Sequence, residues 1–235
     1  MTNDSPVFIY SMIPIEKTMF KHFFETGPVK SLLENPGQLR YAGWDLTTQG
    51  QARIIKGQYL ELKSAERKRL QLYEDGSFFV RVSADQDYLS WGINEETFRI
   101  TPRLNTLALI EFSLNFCLLC AGLVKYLDPE PLQIDLNVEI WNAFIGESKL
   151  RLIPHPVSSY GFGYGDSHPA PEAFTKRQIR VPTEELKTRP DVVAFLLVRQ
   201  IFIWFGVMAD MIPYASAEAG VRFIDADGIK NARSH

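Results

Sequence analysis

Residues 132–140 read LQIDLNVEI, and their alternation decides the fold class. Leu132, Ile134, Leu136, Val138 and Ile140 are apolar, and Gln133, Asp135, Asn137 and Glu139 between them are polar. Side chains along a strand point to opposite faces with period two, so this segment buries one face and wets the other. A sheet wetted on one side is characteristically antiparallel, because parallel strands are covered on both faces and read as continuous apolar runs.

Working outward, residues 104–127 form an apolar stretch that as a helix would span about 35 Å. Its polar members Glu111, Asn115 and Lys125, with Gly122, fall near one line of a helical wheel. Ionised groups are costly in lipid, so the reading is a core helix that meets solvent or another polar group along a thin stripe. Residues 192–208 hold Arg199 and Gln200 and read as a second core helix, with Pro190 suited to its first turn. Glu111 and Arg199, each a charge in an apolar helix, are expected to face each other or partners on the sheet, since a buried charge is tolerated chiefly when paired.

Upstream, ARIIKGQYLELK (52–63), ERKRLQLYE (66–74) and SFFVRVS (77–83) are rich in β-branched and aromatic residues and predict a three-stranded meander. Asp75-Gly76 predicts a type I′ hairpin turn between the last two. PVFIYSMIP (6–14) reads as a short strand and 16–24 as a helix, and KLRLI (149–153) is expected to form a hairpin with 132–140. The sum is an α+β protein: a mostly antiparallel sheet with two long apolar helices packed on one face. Residues 1–214 are read as a single domain and 215–235, small and polar, as a loosely ordered tail.

A chain of 235 residues with 46% apolar content can bury roughly 70% of its unfolded surface, so its core needs no disulfide or metal. The net charge of −3 gives no global attraction to nucleic acid or an anionic membrane. Cys117 and Cys120 lie inside the apolar stretch, which suits core filling and a reducing cytoplasm better than redox chemistry or zinc. The N-terminus lacks a signal-peptide pattern, and no metal or other cofactor is expected.

The most unusual segment is SSYGFGYGDSHPAP (158–171), where glycines alternate with aromatics ahead of an acid and a histidine. Glycine permits close backbone approach, so Tyr160, Phe162, Tyr164, Asp166 and His168 are the candidate ligand-binding residues. The segment lacks the Gly-Lys-Ser/Thr ending of a phosphate loop. Basic residues cluster at Lys63, Arg67, Lys68 and Arg69 and again at Lys176, Arg177 and Arg180. Glu61, Glu66, Glu74 and Asp75 are interleaved with the first group, which reads as a mixed-charge sheet edge that discourages aggregation.

The series GWDL (43–46), RIIKGQYLEL, RKRLQLYEDGSFFVRVS and the long helix resembles the C-terminal accessory region of bacterial Schlafen/AlbA-type DNA-binding proteins, over residues 40–207. The DNA-binding module itself is absent, and the resemblance carries over no catalytic or binding residue. It implies a bacterial regulatory or defence-associated setting. The leading functional expectation is a non-enzymatic, cytoplasmic domain that binds a protein partner or a small ligand, with 16 Phe, 9 Tyr and 4 Trp available for a homodimer interface. One alternative is an enzyme assembled around the 158–171 loop, with Asp166, His168 and Glu111 as its candidates. The other is weak nucleic-acid binding through the basic hairpin.

Overall fold

Seven strands hydrogen-bond into one sheet whose every pairing is antiparallel. They are β1 (Val7–Pro14), β2 (Arg53–Ile55), β3 (Tyr59–Ser64), β4 (Lys68–Tyr73), β5 (Phe78–Ser83), β6 (Gln133–Trp141) and β7 (Thr175–Pro182), in the spatial order β7-β6-β1-β5-β4-β3-β2. The computed structural model describes residues 5–25, 27–40, 43–48, 50–64, 67–85, 88–90, 102–153 and 167–232.

The alternation that announces β6 puts its apolar side chains in the core, but the opposite face is only partly wet: Asp135 and Asn137 are buried too, the first held by Arg180 and the second bonded to Ser11. Ile134, Leu136, Val138 and Ile140 have no solvent exposure and join a core with Phe8, Tyr10 and Met12 of β1 and Phe78, Val80 and Val82 of β5. Leu132 lies outside the strand and is 76% exposed. After a short first helix, α1 (Pro28–Glu34), comes helix α2 (Thr106–Leu123), which has the Asn105 side chain accepting from the Ala108 amide and lies over these residues. The Tyr10 ring sits 5.2 Å from Phe112 and 5.3 Å from Phe116, and Phe78 stacks on Phe116 at 6.0 Å. The span Thr106–Tyr126 is long and apolar enough to cross a membrane, yet 89% of an 18-residue apolar stretch within it is buried inside the fold. The short helix α3 (Thr183–Thr188) leads into helix α4 (Pro190–Trp204), which begins with the expected proline and packs against α2, β6 and β7.

Several expectations are corrected. Lys56 and Gly57 both have positive φ, 51° and 67°, so the run 52–63 folds back on itself and the meander has four strands, not three. At the next turn only Gly76 is left-handed, with φ 83°. The Gly76 amide donates to the Tyr73 carbonyl and the Tyr73 amide to the Ser77 carbonyl, a three-residue loop with a left-handed glycine rather than a type I′ turn. Residues 16–24 contain no α-helix: Met19–Phe20 pairs with Leu127–Asp128 as a short ribbon, and a turn follows. Arg151–Leu152 pairs with His168–Pro169 and, in parallel, with Arg103–Leu104, so the neighbours of β6 are β1 and β7 instead.

The supposed loose tail is structured through residue 232. β8 (Ala215–Glu218) and β9 (Val221–Ile224) form a hairpin against α4, followed by the short helix α5 (Ala226–Lys230), capped by the Asp225 carboxylate. Ile224 and Ile229 anchor it, each with at most 1% exposure. Two buried apolar side chains hold an otherwise polar segment in place, and composition averaged over the tail hides them.

Candidate functional site

The register of the sheet assembles a surface that no single segment displays. On the face opposite α2, Lys63 of β3 stands directly across from Arg69 of β4, and Arg69 directly across from Arg81 of β5. The row continues through Ile9, Glu139 and Lys176. The next row reads Arg53, Glu61, Gln71, Phe79, Ser11, Asn137 and Gln178, and Asp135 with Arg180 opens a third. Six cationic side chains thus share one face with three carboxylates, on a chain whose overall charge is −3.

The carboxylates are engaged locally. Glu61 accepts from Arg69 at 2.5 Å and pairs with Lys63 at 3.3 Å. Burial works to raise the Glu61 pKa, but these two cations outweigh it and hold the group below the usual carboxylate value. Arg180 donates two bonds to Asp135, at 2.7 and 2.9 Å, and holds that carboxyl low as well. Lys176 pairs with Glu139 at 3.1 Å. Arg53 and Arg81 are exposed and have no partner among the described residues.

The expected explanation, charges guarding a sheet edge, fits poorly. Lys63, Arg69 and Arg81 sit on β3, β4 and β5, three interior strands, whereas the edges are β2 and β7. Although β2 pairs only with Tyr59–Glu61 and leaves Lys63 on an uncovered stretch of β3, Arg69 and Arg81 have paired strands on both sides and need no such guard.

Aromatic rings share this face. Tyr59 and Tyr73 oppose each other with ring centroids 5.0 Å apart, and the Phe79 ring meets Tyr73 edge-on at 5.8 Å. At the opposite corner Trp141 and Phe174 contact at 4.4 Å and remain 43% and 40% exposed.

Beneath the sheet lies a buried polar network. The Lys68 ammonium donates to the Asp45 carbonyl at 2.9 Å, the Asp45 carboxylate at 3.3 Å and the Thr47 carbonyl at 2.6 Å, and sits 5.3 Å from the Tyr88 ring. Burial lowers the Lys68 pKa against the pull of Asp45. The Tyr88 hydroxyl donates to the Asp45 carbonyl at 2.8 Å, and Asn115 donates to the Trp44 carbonyl at 3.1 Å. These bonds tie residues 44–47 to the core. They are structural in geometry, although the buried Asn115 Oδ1 accepts no hydrogen bond among the described residues.

Glu111 has no solvent exposure and is held by Arg40, whose Nη2 lies 2.5 Å from its carboxylate. Arg199 is exposed on α4, so the expected Glu111–Arg199 pair does not form. The helix pattern is the reason: Ala194, Leu197, Val198 and Ile201 take the buried side of α4, and Arg199 falls on the other. There it lines an open groove of about 550 Å³ with Phe195, Val221 and Arg222. Of the loop candidates, His168 is half-buried in the short strand paired with Leu152, while Tyr160, Phe162, Tyr164 and Asp166 lie outside the described residues. Among the described residues no cluster of His, Cys, Asp and Glu could hold a metal ion. Cys117 and Cys120 are fully buried, and burial pushes both thiols far up.

Comparison with protein-family models, with curated proteins and with solved structures finds no match, so a role for the chain is argued from this geometry.

Proposed function

We propose that the chain is a non-enzymatic binding module whose working surface is the outer face of the sheet and whose partner is polyanionic. The observation that carries the reading is the direct cross-strand alignment of Lys63, Arg69 and Arg81. Like charges in directly opposed positions destabilise a sheet, and a bound anion supplies the countercharge that relieves them. Arg53 adds a further cation beside this row. Both long helices, α2 and α4, pack on the apolar face and leave the charged one to a partner. A bacterial, cytoplasmic setting of regulation or defence belongs to the same proposal, supported by the resemblance over residues 40–207 and by the burial of α2 within the fold.

The test is binding of inorganic polyphosphate by calorimetry at low and moderate salt. Arg81→Glu, at an exposed position, should weaken binding at least tenfold. Glu61→Gln, which frees Arg69 and Lys63, should strengthen it and steepen its salt dependence. Equal affinity for wild type and Arg81→Glu would remove the sheet face from consideration.

A further inference from the structure

Resting on that reading, we infer that the polyanion is a single-stranded nucleic acid, its phosphates held by Arg53, Lys63, Arg69 and Arg81 and its bases stacked on Phe79 and Trp141. The cations alone would serve any acidic partner. The placement of the rings beside them is what selects among partners. Phe79 lies two residues before Arg81 on β5, so both side chains leave the same face of the same strand. Tyr73 and Tyr59 extend the aromatic surface across β4 and β3.

Trp141 and Phe174 form the second platform. Trp141 is four residues along β6 from Asn137, which stands in the Phe79 row two strands from β5. At about 3.3 Å per residue and 4.8 Å per strand, the two platforms are roughly 16 Å apart on the diagonal. The row containing Arg81 and Ile9 crosses that diagonal. The cation row of Lys63, Arg69 and Arg81 beside the Phe79 ring, with a second ring platform at Trp141, suits a strand with unstacked bases, because every base offers a flat face to a ring while its phosphate meets a cation. A duplex turns its bases inward and would leave the rings unused. An acidic protein segment would satisfy the arginines and likewise ignore the rings.

The experiment is fluorescence anisotropy with the full chain and labelled 12-nucleotide strands of thymidine or uridine, against a 12-base-pair duplex and poly-glutamate. Four phosphate contacts on a single strand give a log–log salt slope of about −2.8, or roughly 50-fold weaker binding from 50 to 200 mM salt. Phe79→Ala and Trp141→Ala should each weaken single-strand binding by about 5- to 150-fold, the range for loss of one stacked base. Phe79→Leu should give a loss as well while keeping an apolar side chain, which separates stacking from a packing defect. Duplex and poly-glutamate should bind less tightly than either single strand. If poly-glutamate or duplex binds as tightly, or if the aromatic variants bind like wild type while Arg81→Glu does not, the single-strand assignment falls and the polyanion reading stands. If no polyanion binds, both fall together.

Discussion

Replacing Glu111 by alanine tests how the interior is held together. Arg40 grips this carboxylate with Nε at 3.1 and 3.2 Å from its two oxygens and Nη2 at 2.5 Å. The guanidinium also donates to the Ala232 carbonyl at 2.9 Å and lies 5.6 Å from the Trp44 ring, so this one cation joins Trp44 to α2 and to the residues after β9. With side-chain exposures of 7% for Arg40 and 0% for Glu111, neither charge is rescued by water when the other is removed. Breaking a buried pair from one side costs about 3–5 kcal/mol, out of a total stability of roughly 5–15 kcal/mol for a domain. For a chain of this length each kcal/mol shifts Tm by about 2–4 °C, so Glu111→Ala should melt some 6–20 °C lower.

Urea unfolding followed by circular dichroism gives the free energy, with an unchanged m-value as the check on two-state behaviour. The double replacement Arg40→Met/Glu111→Leu removes both charges and fills the space, and should be more stable than Glu111→Ala alone. Gly43 adds an internal control. A Cβ there would stand 2.1 Å from Glu111 Oε1, so Gly43→Ala must displace the carboxylate from Arg40. Its cost should therefore largely vanish in the Glu111→Ala background, where that oxygen is gone. A Glu111→Ala protein within about 1 kcal/mol of wild type, or a double variant no better than the single, would refute the argument.

Two further expectations concern titration and reactivity. Burial lowers the Lys68 pKa from its ordinary 10.5, so the unfolded chain binds that proton more tightly and stability rises with pH in the window just below 10.5. Urea titrations between about pH 8 and 11 should show this gain for wild type relative to Lys68→Met, and parallel curves would contradict it. Neither Cys117 nor Cys120 should react with Ellman's reagent in the native protein at pH 8, and both should react once it is denatured. A rapidly labelled native thiol would place one of them at the surface.

What the sequence discloses and what it withholds divide along the range of the interactions. The apolar face of β6 follows from period two within nine residues, and α2 follows from length and apolarity. β7 escapes the same reading because Arg177 occupies the side of the strand that Thr175, Ile179 and Val181 share, which breaks its alternation. The polar stripe on α2 is legible, but its partner Arg40 is 71 residues away in sequence and carries no local mark. The charged face is the extreme case. Arg81 reads as one polar position in SFFVRVS, and only the register between β4 and β5 sets it against Arg69. Side chains that meet through pairing of separate strands are set by turn geometry and core packing together, and neither is a property of the segment that contains them.

That register also carries the argument for function. Each directly opposed like-charge pair costs the sheet roughly 0.2–1 kcal/mol, and two such pairs run in succession from Lys63 to Arg81. Glu61 offsets part of the repulsion for Lys63 and Arg69 but does not reach Arg81 in any bond. A face that needed only to stay wet would be served by Gln, Thr or alternating charges, as Gln71 and Gln178 serve it one row away. Local choices that work against the fold concentrate where function requires them. On the proposed reading, the aligned cations are the part of this sheet where stability is traded for contact with a polyanion.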